Sequence, residues 1–273
     1  MQRHVNGHPV DLDIVGDGVP VLLLHGFSLD RRSLAYSLGP VFARRTGYRR
    51  IHVDLPGFGA SPPVHSIDGS DAMLDFVLAL IDEIVGDERL LIVGESWGAY
   101  LARGVVARRY AHVVGVALVC PVVIATNADR DVPEHRIVFE EPGLLERADP
   151  VAVEAFREGA VLVDQGSWDY VLTAIDPAVA TADPATLERI GARYGFAVDV
   201  DRVGDPFLGP SLIVVGRQDA TVGYRDAIGI IERFPRATVA VLDESGHNLE
   251  GERPRMLAAL VDDWLDRVER ERP

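Results

Sequence analysis

Ser96, Asp219 and His247 are the residue types of nucleophilic catalysis, and each stands where a strand gives way to a loop or helix. Ser96 lies in Gly94-Glu95-Ser96-Trp97-Gly98, after the apolar run Leu90-Leu91-Ile92-Val93 and before the helix-like residues 99–110. G-x-S-x-G at a strand-to-helix junction makes a turn so tight that the serine backbone is strained and its hydroxyl projects from the top of a sheet. Gly94 and Gly98 are needed because a Cβ at either position would collide with the neighbouring strand or helix. Five residues alone are weak evidence. Their placement makes the pattern specific and disfavours a merely structural turn serine.

A serine hydroxyl needs a base to take its proton, a group to orient that base, and donors for the oxyanion. Of eight histidines, His247 lies in Asp243-Glu244-Ser245-Gly246-His247-Asn248, past the last strand and before the last helix. A loop there can fold over Ser96, whereas His112 precedes a strand and sits at the wrong end. Asp219 closes Val214-Val215-Gly216-Arg217-Gln218-Asp219 on the same edge. A carboxylate there can accept from the second histidine nitrogen and stabilise the imidazolium. Its competing reading is a cap for a helix near Thr221; Asp54, Asp243 and Glu244 are weaker candidates. For the oxyanion, the backbone N–H groups of Phe27, in His25-Gly26-Phe27, and of Trp97 are expected to act, each worth about 3 kcal/mol. No residue set calls for a metal or a cofactor.

The elements that must hold these residues alternate. An opening antiparallel hairpin (3–6 and 10–14) precedes strands at 19–24, 49–53, 90–93, 113–119, 211–215 and 238–242. Helical connections are expected at 31–43, 71–85, 99–110, 224–234 and 254–267, with Met73, Leu74, Val77, Leu78, Ile81 and Ile84 on one side of the second. Unbroken apolar strands alternating with helices imply an α/β fold, a mostly parallel sheet covered on both faces. From 122 to 206 the rhythm stops: helical patches at 150–163, 167–175 and 185–194 are punctuated by Asp-Pro pairs, with no convincing strand. This segment reads as a helical cap over the carboxyl ends of the strands, where open α/β sheets bind ligands. The domains are then a core of 1–121 and 207–273 and a cap of 122–206.

Composition narrows the classes. A net charge of −15 argues against nucleic-acid binding, because phosphates need a positive surface. No apolar run approaches the roughly 20 residues that span a bilayer. The start has no signal-type apolar stretch and Cys120 is the single cysteine, which suits a cytoplasmic location. All 27 basic residues are arginine, which excludes lysine chemistry. A small-molecule substrate is expected as the partner, with a homodimer left open.

Together with Asp54-Leu55-Pro56-Gly57-Phe58-Gly59-Ala60-Ser61, these motifs make the chain resemble an α/β-hydrolase-fold serine hydrolase, nearly end to end. The resemblance implies an eight-stranded, mostly parallel sheet, the order Ser, Asp, His along the chain, and an inserted cap. Some members take the acid after the preceding strand, but that strand here ends in Cys120-Pro121. Ser96 excludes the branches with a nucleophilic aspartate, the haloalkane dehalogenases and soluble epoxide hydrolases. The implied activity is cleavage of a small carboxylic ester or lactone. The alternatives are an aminopeptidase of proline-iminopeptidase type, whose cap carboxylates hold the substrate's amino group, and a non-catalytic receptor. The cap carries 17 Asp and Glu against 7 Arg, with Glu140-Glu141 its densest acidic pair; this reads first as a solvated surface, whereas an acidic lid would favour cationic or neutral substrates. Trp97, Phe139, Trp168 and Tyr170 are the aromatic candidates to line the pocket.

Overall fold

The computed structural model describes residues 1–271. Eight strands form one sheet: β1 (Gln2–Val5), β2 (His8–Val15), β3 (Val19–Leu24), β4 (Tyr48–Val53), β5 (Leu90–Glu95), β6 (Val113–Val119), β9 (Ser211–Gly216) and β10 (Ala237–Leu242). The spatial order is β1-β2-β4-β3-β5-β6-β9-β10. Only the β1–β2 and β2–β4 pairings are antiparallel. The central strands β5 and β9 are buried along their whole length, which is why their sequences are unbroken apolar runs. The outer strand β10 is mostly half-buried.

Chain order and spatial order together fix a site. From β3 the chain passes through α1 (Arg32–Phe42) to β4 on one side; from β5 it passes through α3 (Trp97–Arg108) to β6 on the other. Right-handed crossovers in opposite directions put α1 and α3 on opposite faces and open a crevice between the carboxyl ends of β3 and β5. That crevice lies between Phe27 and Ser96. Helix α2 (Ser70–Ile84) packs beside α3, and the last helix, α10 (Pro254–Arg270), packs beside α1. Helix α10 buries Leu257, Val261, Trp264, Leu265 and Val268, a helical stripe that seals the core.

Residues 122–206 contribute no strand to this sheet. They hold α4 (Pro150–Gly159), α5 (Gln165–Tyr170), α6 (Asp176–Val179) and α7 (Pro184–Ala192). Three of the four Asp-Pro pairs start helices. Asp149 and Asp183 cap α4 and α7 from the side chain, with proline at the first helical position, where its missing N–H costs nothing. Asp164 caps α5 in a reciprocal box with Ser167.

Two expectations differ from the structure. The segment expected to be strand-free contains a two-residue parallel pairing of β7 (Phe139–Glu140) with β8 (Leu162–Val163). The helix expected at 224–234 is only α8 (Arg225–Gly229) and a separate 3-10 turn, Ile231–Arg233. Gly229 lacks the helix propensity to carry the segment through.

The two halves of the segment are held differently. Leu145, Phe156, Ala160, Val163 and Val171 form a small apolar cluster of their own. Ala182 and Ile190 instead join the main core. Polar contacts dock the rest: Asp183 N–H donates to Gly57 O (2.8 Å), and Arg32 Nη2 donates to Pro177 O (2.9 Å). Buried Arg103 on α3 pairs with Asp201 and donates to Val122 O. Val122 is fixed from its other side too, its N–H donating to Ser96 O at 3.1 Å.

Candidate active site

Ser96 has φ +52° and ψ −114°, a strained conformation between β5 and the first turn of α3. Its surroundings hold it there. The Ser96 N–H donates to Val119 O, and its carbonyl accepts from Tyr100 N–H as well as Val122 N–H. A Cβ on Gly98 would come within 2.0 Å of Leu24 O, and one on Gly94 within 2.5 Å of Gly98 O. Backbone therefore packs against backbone on both sides of the serine, and only glycine fits.

His247 brings Nε2 to 2.9 Å from Ser96 Oγ and Nδ1 to 2.9 Å from Asp219 Oδ2. The other Asp219 oxygen accepts Thr221 N–H (2.8 Å) and Val222 N–H (2.9 Å). One oxygen thus ties down its own turn and the other faces the imidazole; no helix begins at Thr221, the next one starting at Arg225. Burial opposes charge on Asp219, but His247 and the two N–H donors outweigh it and hold its pKa below the ordinary carboxylate value. Burial likewise presses His247 toward neutrality. Asp219 overcomes that, with help from Glu95, and leaves the imidazole above its ordinary value. Among the described residues, no acceptor takes the N–H of Phe27 or of Trp97, whereas Gly26 N–H is spent on Glu95. His25 supports this loop, bonding Gly26 O through Nδ1 (2.8 Å) and accepting Leu55 N–H at Nε2 (3.1 Å).

A cavity of about 750 Å³ opens over Ser96 and His247. Its walls are Phe27, Val122, Ala125, Tyr194 and Val222, with Arg130 and Arg193 among its polar groups. None of the four aromatic candidates borders it. The Trp97 ring is fully buried beneath, between Phe27 and Phe58, and its Nε1–H donates to Ser70 Oγ (2.9 Å). Tyr170 is fully buried against Tyr36, Trp168 packs on Phe156 inside the small cluster, and Phe139 lies exposed on β7. The helix that carries Trp168 and Tyr170 packs against residues 249–252, a contact that local sequence does not encode.

The acidic residues of 122–206 behave as a solvated surface rather than as a lid. Among the described residues, no aspartate or glutamate lines the cavity. Glu140 and Glu141 are exposed, and Glu140 pairs with Arg157. The carboxyl groups that do lie near the site come from the core and are buried: Glu95, Glu250 and Glu252. Burial lifts the pKa of each, most strongly Glu250, whose two oxygens have no partner. Glu252 accepts Gly246 N–H (2.6 Å), Val161 N–H (2.6 Å) and Leu162 N–H (3.2 Å), so it joins the loop before His247 to the segment 122–206. The sequence reading singled out none of Arg130, Glu250 or Glu252. Glu95, inside the serine motif, was the one with a local signal.

Comparison with known proteins decides the family. The model of the alpha/beta hydrolase family matches residues 21–260. The chain belongs to that family. It is similar to an alpha/beta superfamily hydrolase from Oenococcus oeni PSU-1, with a TM-score of 0.91, 26% identity and coverage of 98% of this chain and 99% of that one. Among curated relatives, the dihydrolipoyllysine-residue acetyltransferase component of the acetoin cleaving system of Pseudomonas putida is 25% identical over 86% of this chain. The monoacylglycerol lipase ABHD6 of Bos taurus is 24% identical over 91%. The chain spans 60% of the length of the first of these relatives and 75% of the second. No helix among the described residues is long and apolar enough to cross a membrane.

Proposed function

We propose that this α/β hydrolase is a serine esterase acting on small carboxylic esters, with Ser96 as nucleophile, His247 as base and Asp219 as the group that orients and charges the base. The observation that carries this reading is the unbroken pair of 2.9 Å contacts from Ser96 Oγ through His247 to Asp219. His247 Nε2 takes the Ser96 proton as Oγ bonds to the ester carbonyl carbon. The resulting oxyanion turns toward the unpaired N–H groups of Phe27 and Trp97. Collapse breaks the bond to the alcohol, which leaves with the proton from His247. Water then repeats the sequence on the acyl-Ser96, releasing the acid and restoring the serine. In this reading residues 122–206 cover the site as a cap.

The likeness to a lipase supports an ester over an amide. The cavity adds to this, because it lacks the carboxylates that would anchor an amino terminus. Turnover of p-nitrophenyl acetate and butyrate tests the proposal. Ser96→Ala should lower it by several orders of magnitude, with unchanged thermal unfolding, and should abolish labelling by a fluorophosphonate. Retention of more than a small fraction of activity at equal purity would sink the assignment, and preferential hydrolysis of proline arylamide would move it to the peptidase alternative.

A further inference from the structure

The chain carries −15 overall, yet the cavity over Ser96 contains arginine and no carboxylate. One of its two arginines is already neutralised: Arg193 is exposed and paired with Asp68. Arg130 is different. It is half-buried and forms no ion pair among the described residues. Its Nε–H donates to Ile124 O (2.8 Å), Nη1 to Thr221 O (3.0 Å) and Nη2 to Ala125 O (3.2 Å). Three carbonyls from two chain segments therefore aim the guanidinium without cancelling its charge. A guanidinium has five N–H donors, so two are left for other partners. Tyr194 lines the same cavity and is fixed through Ser70 Oγ, which donates to Tyr194 O (2.7 Å) and accepts from Trp97.

An unneutralised cation here opposes the imidazolium that His247 must become, and Arg130 is within electrostatic reach of His247. An enzyme gains nothing from such a charge unless the substrate cancels it. We infer that Arg130, with the Tyr194 hydroxyl, is a carboxylate-binding subsite, and that the preferred esters carry a second, ionised carboxylate, as in monoesters of short dicarboxylic acids. Guanidinium and carboxylate match in a two-pronged geometry, and Arg130 keeps the donors for it. A bound carboxylate also removes the opposition to His247 at the moment it is protonated. This inference rests on the esterase reading for its substrate, but not for its anion site.

The test compares 4-nitrophenyl hydrogen succinate, glutarate and adipate with their neutral methyl esters at low salt. For the best-fitting length, kcat/KM should favour the anionic ester by roughly tenfold or more, the scale of a charge-assisted contact, against the protein's own negative charge. Arg130→Gln should remove that preference, lowering kcat/KM for the anionic ester roughly tenfold more than for the neutral one. Arg130→Lys should keep part of it. Equal rates for charged and neutral esters at all three lengths in the wild type would overturn the inference, as would equal losses on both in the two variants. Calorimetry on Ser96→Ala keeps the esterase reading separate. Glutarate binding that disappears with Arg130→Gln supports the subsite even if no ester turns over, and absence of binding by any of the three diacids counts against it.

Discussion

The sheet core and the segment 122–206 use the same kinds of residue in opposite ways. In the core, acids near the site are few and buried: Asp219 has no exposure and faces His247, Glu252 closes three backbone N–H groups, and Glu250 keeps two unpartnered oxygens. In the segment, acids are many, exposed and paired with arginines or spent on helix starts, as with Glu140, Asp149 and Asp183. The apolar cores differ as well. One spreads under nearly every strand of the sheet; the other is five residues. The number of charges in a region therefore says little about the field in a neighbouring cavity. Burial and partners decide that.

Substitutions at acids in the two regions should separate sharply. Asp219→Asn is expected to have the largest effect, a fall in kcat of about 10⁴, because an amide can hold the ring but cannot support the imidazolium. The pH profile gives the sign. In the proposed mechanism His247 acts as base only when neutral, so activity should fall as pH drops through its raised pKa, above the ordinary 6.5. The acid limb of any residual Asp219→Asn activity should move to lower pH, and a limb that stays in place would point to another base.

Next comes Glu252→Ala, which strands the N–H groups of Gly246, Val161 and Leu162 in a buried place. Urea unfolding should show a loss of about 3 kcal/mol or more. A loss under 1 kcal/mol would mean that this tie between the core and the segment is dispensable.

A comparable effect should follow from pH alone in the core. Burial, with Arg50 adding, lowers His52 on β4 to about 4 from 6.5. A depressed folded value means the unfolded chain binds the proton more readily. Stability is therefore intact above pH 6.5, declines below it, and levels off below pH 4. The loss is about 3 kcal/mol, and His52→Asn should remove that slope. The smallest effect belongs to the segment's surface. Glu140→Gln with Glu141→Gln should change esterase rates less than twofold and stability by less than about 1 kcal/mol. A tenfold rise in KM for an amine-bearing substrate would restore the acidic-lid reading.

Much of this was written locally. The elbow around Ser96 shows because glycine, strand and helix signals lie within ten residues, and the strands show because burial on both faces demands unbroken apolar runs. His247 and Asp219 show because both follow late strands. What failed to show depends on distant partners. Trp168 and Tyr170 are turned away from the cavity by packing that spans the chain, and Arg130 sits between two aspartates with no hint that carbonyls at 124, 125 and 221 will aim it. A two-residue strand such as β7 has no periodicity to read.

Val122 is clamped on both sides, its N–H by the Ser96 carbonyl and its C=O by Arg103. The first residue of the segment 122–206 is thus part of the scaffold around Ser96. Any swing of residues 123–206 must pivot beyond this clamp, so the moving part cannot tug on the strained elbow. In the proposed reading of 122–206 as a cap, a displacement of the cover would leave Ser96 Oγ aimed as it is.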